Sequence, residues 1–248
     1  MRRYVSLACV LLGASAGAQE PEYEALIALR SSAGFQAALQ TAEARLSANA
    51  RDGDAAGVRA LVYANAVDYL AMDPAEAREK KLAALADAVR LAPDNPWTRA
   101  AYGLIHLSDD AASAERELAA CVEEQPDFIE CHNLYGDHLR KTGRTEMARN
   151  VYQDAMLRWP RDGELVVSYA LLWQETREVP RALRLLEELT RRQPSFARGH
   201  WHLAVMLYET GGDRSRALRE AMLALELDPL IWNGEKLLEM LGDGPAAQ

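Results

Sequence analysis

The sequence predicts an all-helical protein built from a repeated hairpin of two helices, and three observations lead to this fold class. The composition favours alanine, leucine, arginine and glutamate, which are good helix formers. Segments rich in valine, isoleucine and threonine, as strands require, are nearly absent, and the nearest, ELVV at 164–167, continues into a helical pattern. Prolines recur at a near-constant spacing, which indicates the length of the repeat.

The proline spacing divides much of the chain into units of similar length. The prolines are Pro93, Pro126, Pro160, Pro194 and Pro229, separated by 33, 34, 34 and 35 residues. Because a helix interior does not tolerate proline, each one marks the end of an apolar, helix-periodic segment. A repeat of this length is typical of solenoids, in which each unit packs on its neighbours.

The unit at 129–162 shows how size is distributed within the repeat. Gly136 lies in the middle of a helical pattern, although glycine costs about 1 kcal/mol relative to alanine there. We expect Gly136 and Ala148 to mark the close approach of the two helices of the hairpin, with Ala155 against the next unit. Large residues such as Tyr152 would fill the layers between them.

The same size classes recur in the units that begin at Pro96, Gly163 and Ala197. This pattern resembles the tetratricopeptide repeat, with a small residue after an aromatic in the first helix and a proline after the second. The resemblance covers about residues 55–241. It departs at His132, where the family has tryptophan, and at Arg177, which replaces the turn glycine. The family implies an α-solenoid, a right-handed superhelix of antiparallel hairpins.

The ends of the array predict further helices. Residues 19–54 contain Phe35, Leu39, Ala42 and Leu46 at helical spacing, which indicates N-terminal helices forming a degenerate first hairpin with SSAG at 31–34 as its turn. The segment IWNGEKLLEMLGD at 231–243 predicts a C-terminal capping helix, which a solenoid needs to cover its last apolar face. Residues 242–248 are expected to form a flexible tail.

The first 18 residues have the layout of a secretory signal peptide. Two arginines precede an apolar run at 4–12, and the small residues Ala-Gly-Ala at 16–18 predict cleavage before Gln19. The run is too short to span a bilayer, so the mature chain is expected to have no transmembrane span. A retained anchor and a lipoprotein modified at Cys9 are the alternatives. The sequence therefore predicts an exported protein, periplasmic or secreted.

The net charge argues against some partners, and the cysteines suggest a disulfide if the protein is exported. The chain has 28 basic and 37 acidic residues, and losing two arginines with residues 1–18 would change the net charge from −9 to −11. Such a charge argues against nucleic acid and anionic membrane surfaces as partners. Cys121 and Cys131 would remain, and in an exported protein such a pair suggests a disulfide. Two buried thiols are the alternative.

The sequence contains no arrangement of residues typical of an active site. It has no nucleophile motif or phosphate-binding loop, and its five histidines lack the spacing of three or four residues that a helical metal pair needs. We therefore expect no enzyme activity, no cofactor and no metal. An enzyme or small-ligand binder with a site assembled across helices is the least favoured alternative.

The family resemblance places a partner-binding groove on the concave face of the array. The first helix of each unit would line it through positions 2, 5, 9, 12 and 13 of the unit. Position 2 is occupied by Trp97, Glu130, Glu164 and Arg198 in successive units. The predicted groove residues are Trp97, Leu104, Leu107, Asn133, Asp137, Arg140, Lys141, Gln174, Arg198, Trp201, Val205 and Tyr208. An ordinary mixed surface is the alternative interpretation.

These observations predict a non-catalytic adaptor or scaffold of the cell envelope that binds a peptide or a partner helix. Trp201, Tyr208 and Arg198 would share the inner face of one helix, and Arg140 and Lys141 would attract an acidic segment. The alternative is an architectural subunit of an envelope assembly for secretion, pilus formation, polysaccharide export or cytochrome maturation. The protein would be a monomer or part of a larger assembly.

Overall fold

The computed structural model describes residues 23–242, and every regular element in this range is an α-helix. The prediction of an all-α chain is confirmed. The predicted signal peptide at 1–18 and residues 243–248 of the predicted tail lie outside the described residues. Within 23–242, no helix combines the length and apolar character needed to cross a membrane.

The helices follow one another with short connections. Their bounds are α1 Tyr23–Ala28, α2 Ser32–Ala48, α3 Gly53–Ala64, α4 Ala66–Tyr69, α5 Pro74–Leu91, α6 Pro96–His106, α7 Ala111–Glu124, α8 Ile129–Lys141, α9 Thr145–Arg158, α10 Gly163–Glu175, α11 Val179–Arg192, α12 Ala197–Glu209, α13 Arg214–Leu227 and α14 Gly234–Gly242.

Five hairpins form the array within the described part of the chain. They pair α3 with α5, α6 with α7, α8 with α9, α10 with α11, and α12 with α13. The first member of each pair, called the A helix here, also packs on the next A helix, and the second member is the B helix. Helix α14 packs on α12 and α13, as expected for a capping helix. The predicted α-solenoid is therefore present, and the first helix of its array begins at Gly53.

The prolines end the B helices at a constant position. Each B helix stops two residues before one of the five repeating prolines; α9, for example, ends at Arg158 and Pro160 follows. The N–H of Trp159 still donates to the carbonyl of Ala155, so the last turn is complete before the proline interrupts the pattern. The repeat length read from the prolines is thus the length of the structural unit.

The glycine inside α8 marks the close contact between the helices of its hairpin. A Cβ at Gly136 would lie 2.4 Å from Cε1 of Tyr152, closer than any side chain allows. The Tyr152 ring is fully buried, and its hydroxyl donates to Oδ1 of Asp137 at 2.7 Å. In the preceding unit, Gly103 faces Leu118 at the same 2.4 Å separation. The predicted role of Gly136 is confirmed.

The N-terminal hairpin differs in detail from the prediction. The SSAG segment is not a turn, because Ser31 caps α2 and its Oγ accepts the N–H of Gly34 at 3.2 Å. The chain reverses one step earlier, at Arg30, whose φ of 43° is left-handed. Helix α2 then starts so close to α1 that a Cβ at Gly34 would lie 2.4 Å from the carbonyl oxygen of Leu26. Ile231, predicted within the capping helix, precedes α14.

Candidate functional site: the concave face

Position 2 of successive units forms a row across the concave face, and the N-terminal part of the chain contacts this row. At one end, the ring of Tyr23 meets Trp97 edge to face, with centroids 6.1 Å apart. In the middle, Arg30 forms a salt bridge with Glu130. At the far end, Nη1 of Arg198 donates to the hydroxyl of Tyr69 at 3.2 Å. The protein's own chain therefore covers the part of the concave face formed by position 2 of the units.

The charges at the centre of this row are buried and compensated. Arg30 is 8% exposed and Glu130 is 4% exposed. Burial opposes the charge on Arg30, but the carboxylates of Glu130 and Glu164 outweigh it and raise the pKa of the guanidinium. Burial likewise tends to raise the pKa of Glu164, yet Arg198 and Arg30 hold that pKa below its ordinary value. Nε of Arg198 donates to Oε2 of Glu164 at 2.7 Å.

Two further contacts hold the N-terminal elements in place. The backbone N–H of Ser32, in the first turn of α2, donates to Oδ2 of the buried Asp228 at 3.1 Å. The rings of Phe35 and Tyr69 stack with centroids 4.1 Å apart, which joins α4 to α2. We call residues 23–35 together with α4 the N-terminal plug. They cover the part of the concave face that is formed by the N-terminal halves of the A helices.

The plug overturns part of the predicted groove. Trp97 is 7% exposed because it is enclosed by Tyr23 and by Phe128, whose ring centroid lies 4.6 Å from its own. Asn133, at position 5 of the next unit, is 4% exposed. The prediction that these two residues line an open groove is wrong, because α1 lies over the beginnings of α6 and α8.

The C-terminal halves of the A helices remain accessible. Positions 9, 12 and 13 of the units are partly or fully exposed along α6, α8, α10 and α12. We call this surface the open strip; it comprises Leu104, Leu107, Asp137, Arg140, Lys141, Leu171, Gln174, Val205 and Tyr208. It retains eight of the twelve predicted groove residues, and their role in binding stays a prediction.

Side chains in the middle of the open strip bind side chains of the neighbouring A helices. Arg140 forms a salt bridge with Glu175 of the neighbouring A helix, and its Nη2 lies 3.5 Å from Oδ1 of Asp137. Nε2 of Gln174 donates to Oε2 of Glu209 at 2.8 Å. The Arg140 side chain is therefore largely buried by its partners and is not the free cation that the sequence suggested. Lys141 is exposed and forms no salt bridge with residues 23–242.

Arg198 and Trp201 lie at the border between the plug and the open strip. Here the plug, α12 and the loop before α14 enclose a cavity of about 500 Å³. The lining residues are Arg30, Asp68, Tyr69, Lys141, Arg198, Trp201, His202, Ile231 and Trp232. Trp201 is half-buried, and its ring lies 5.8 Å from that of Trp232. The structure thus unites predicted groove residues with others that the repeat pattern did not identify.

Arg30, Tyr69 and Trp232 were missed because they lie outside the helices that the repeat pattern describes. The repeat fixes contacts between successive units, but it contains no information on where the flanking helices dock. One signal was present in the sequence. Glu130 and Glu164 occupy the same groove-facing position in adjacent units, and two buried carboxylates require a cation from elsewhere in the chain.

Histidines and acids of the array serve packing rather than a metal centre. Nδ1 of His200 lies 2.6 Å from Oε2 of Glu220, and Nε2 of the same ring lies 3.1 Å from the carbonyl oxygen of Pro194. His138 contacts Glu115, which also binds Arg144. Within residues 23–242, no group of three or more potential metal-ligating side chains comes together.

Cys121 of α7 and Cys131 of α8 face each other across the hairpin junction. Their Cα atoms are 6.0 Å apart and their sulfur atoms are 2.06 Å apart. The Cα separation lies within the range that a disulfide requires, which is roughly 4.4 to 6.8 Å. The predicted pair is therefore correctly placed by the fold, while its oxidation in the cell stays a prediction.

Solved structures of the same architecture include tetratricopeptide-repeat proteins. TTC0263, a thermophilic TPR protein of Thermus thermophilus, matches with a TM-score of 0.61 and 17% identity over 75% of this chain and 97% of that one. A tetratricopeptide repeat protein from Parabacteroides merdae gives a TM-score of 0.61 and 16% identity over 84% and 78% of the two chains. These matches confirm a tetratricopeptide-like fold.

Human IFIT1, solved as a dimer with PPP-AAAA, is also similar in fold. Its TM-score is 0.62 at 19% identity, over 77% of this chain and 46% of IFIT1, so this chain spans less than half of that protein's length. No family model matches the sequence, and no curated protein matches it significantly. At these identities the likeness establishes the fold.

Proposed function

We propose that the protein is a non-catalytic scaffold that binds a segment of a partner protein on the open strip. The observation that carries this proposal is the contrast between the two halves of the concave face. The plug covers the N-terminal halves of the A helices, where Trp97 and Asn133 are buried. The C-terminal halves of four A helices keep accessible side chains. A solenoid typically presents its partner-binding surface on such a face.

The chemistry of the open strip indicates the kind of segment it would hold. Leu104 and Leu107 offer apolar surface on α6, and Val205 and Tyr208 do so on α12. Lys141 lies between these ends, with its ammonium group free of salt bridges to the described residues. The partner segment would therefore carry apolar anchors with an acidic residue between them.

We do not extend the ligand of IFIT1 to this chain. A polyanion such as a nucleic acid is bound mainly through basic side chains, which neutralise its phosphates. This chain has a net charge of −9, and Arg140, in the middle of the open strip, is already paired with Glu175. A protein segment fits this surface better than a nucleic acid.

We place this scaffold in the envelope or outside the cell. The support is the signal-like segment at 1–18 and the facing pair Cys121 and Cys131, since disulfides persist in oxidising compartments. Sequencing the N-terminus of protein recovered from the host envelope should give Gln19 as the first residue. Recovery of the chain with Met1 from a soluble cytoplasmic fraction would contradict export.

An architectural role is the second candidate, and exposed apolar residues on the B helices favour it. Leu157 on α9 is 83% exposed, and Met222 on α13 is also exposed. The B helices form the side opposite the groove, so these residues could contact another subunit of an assembly. Exposed apolar residues that occur singly are common on protein surfaces, so this observation weighs less than the open strip.

A crosslinking pull-down from the envelope separates the two candidates. The double variant Leu107→Asp with Tyr208→Ala should lose the partner if the open strip binds it. The double variant Leu157→Ser with Met222→Ser is the matched control on the opposite side, and it should retain the partner. The reverse result would assign binding to the B helices and support the architectural role.

A further inference from the structure

The cavity beside Trp201 is not required for the binding of a segment on the open strip. It is bounded by the plug, the end of α8, the beginning of α12 and the loop before α14, and its volume is about 500 Å³. Cavities of roughly 300 to 1,000 Å³ are typical of sites for small ligands. It is a partly open cleft formed by parts of the chain that are distant in sequence.

Several polar atoms of the lining residues have no hydrogen-bond partner within residues 23–242. They are Nε1 of Trp201, Nε of Arg30 and Nε2 of His202. All three atoms are buried and therefore do not face the cavity as the side chains stand, and the His202 nitrogen donates or accepts according to its tautomer. Buried polar groups are nearly always hydrogen-bonded, so a small side-chain shift that opens one of these N–H groups to the cavity would allow a ligand to satisfy it.

The charges around the cavity favour an anion of modest size. Glu130 and Glu164 compensate Arg30 and Arg198, which are therefore not surplus charges. Lys141 lines the cavity, is exposed and forms no salt bridge with the described residues, although its charge helps to hold down the pKa of Glu164. The exposed Asp68 limits the excess of positive charge. A single anionic group can be attracted here by Lys141, whereas a polyanion would meet little net positive charge.

Part of the cavity lining is aromatic and apolar. The rings of Trp201 and Trp232 are 5.8 Å apart and inclined by 58°, and Ile231 lies next to them on the lining. Trp232 is exposed, although large aromatic rings usually bury most of their surface. A planar apolar group of a ligand would cover this ring.

The plug limits what can enter. An extended chain running along the whole concave face would have to displace the contacts between Arg30 and Glu130 and between Ser32 and Asp228. A compact ligand meets no such obstacle, because the cavity lies at the edge of the plug. The geometry therefore favours a small molecule, or the last residue of a chain, over a segment that passes through.

We infer that this cavity binds a small organic anion that carries a planar apolar group. The anionic group would be held by Lys141, and the planar group would pack against Trp232. This site shares Lys141 with the partner surface proposed above, but Leu107 and Tyr208, whose substitution tests that surface, do not line the cavity.

The dye 8-anilinonaphthalene-1-sulfonate is a suitable first probe, because it combines one anionic group with planar rings. Titrated into the full mature chain, it should bind with one site and gain fluorescence. Lys141→Glu and Trp232→Ala should each weaken binding about tenfold, which corresponds to about 1.4 kcal/mol. Lys236→Glu, an exposed lysine on α14, and Leu157→Ala, an exposed apolar residue on α9, are matched controls that should bind normally.

Competition distinguishes a small acid from the end of a chain. N-acetyl-phenylalanine should displace the dye and its amide should not, because the amide lacks the anionic group. A tripeptide ending in free phenylalanine would compete equally well if the site accepts chain ends, and less well if it is closed around small molecules. Dye binding that survives in both Lys141→Glu and Trp232→Ala, or that falls equally in the two controls, would overturn the inference. Circular dichroism of each variant confirms folding, and the pull-down reports separately on the open strip.

Discussion

The backbone N–H of Ser32 donates to Oδ2 of Asp228 at 3.1 Å, although the two residues are 196 positions apart in the chain. Ser32 begins α2, and Asp228 follows the last B helix. The carboxylate of Asp228 thus lies at the N-terminus of a helix, where the backbone dipole favours a negative charge. This contact joins the N-terminal hairpin to the end of the array and helps to hold the plug against the concave face.

Arg30→Ala should destabilise the protein strongly. Removing the guanidinium leaves Glu130 as a buried carboxylate without its partner, a change that typically costs roughly 3 to 5 kcal/mol. Urea unfolding at neutral pH should show a lower midpoint. Arg191→Ala is the matched control, because Arg191 pairs with Glu188 on the exposed surface and its loss should leave the midpoint nearly unchanged. Equal midpoints for the two variants would show that the plug does not stabilise the fold.

Acid should weaken the same region. The pKa of Glu164 lies below its ordinary value of 4.5, because Arg198 and Arg30 outweigh the effect of burial. A carboxyl whose pKa is lower in the folded state stabilises the fold above its unfolded pKa, and this contribution is lost as pH falls through the folded pKa. Unfolding free energy should therefore fall as the pH drops below the ordinary glutamate pKa of 4.5, and Glu164→Gln should make that fall shallower. If the variant lost stability with falling pH as steeply as the natural protein, Glu164 would not be a cause of the acid sensitivity.

The pair Cys121 and Cys131 should stabilise the protein when oxidised. The two residues are ten positions apart, and closing a loop of this size adds about 3 kcal/mol in the chain-entropy model. Reduction should lower the urea midpoint of the natural protein and leave the double variant Cys121→Ala with Cys131→Ala unaffected. Two free thiols in protein isolated from the envelope, found by thiol titration before any reduction, would contradict the disulfide.

The repeat could be predicted from the sequence because its contacts are local. Gly136 faces Tyr152 within one hairpin, and the prolines end each B helix at a fixed position, so spacing alone identifies these features. The plug could not be predicted in this way. Arg30 reaches Glu130 across 100 positions of sequence, and no periodicity relates them. Consequently eight of the predicted groove residues lie on the accessible open strip, whereas Trp97 and Asn133 are buried by a segment outside the pattern.

The turn at Arg177 offers a stabilising substitution. Its φ is 64°, close to the values of 74° and 67° at Gly143 and Gly211, which occupy the corresponding turns of the neighbouring units. Left-handed backbone costs a residue with a Cβ roughly 1 to 2 kcal/mol, and glycine removes this cost. Glycine also makes the unfolded chain more flexible, which cancels part of the stability gained. Arg177→Gly should therefore raise the free energy of unfolding by about 0.5 to 1 kcal/mol.

The Arg177 side chain is exposed and forms no hydrogen bond or salt bridge with the described residues, so its loss should cost little. The N–H of Arg177 donates to the carbonyl of Gln174 at 3.0 Å, and glycine preserves this bond. Arg177→Ala is the matched control, because it removes the same side chain but keeps the Cβ, and it should bring no gain. Gly143→Ala should lose stability, because it places a Cβ on a residue with left-handed backbone. Urea unfolding of the three variants measures these differences, and equal gains from glycine and alanine at position 177 would show that the backbone conformation is not the cause.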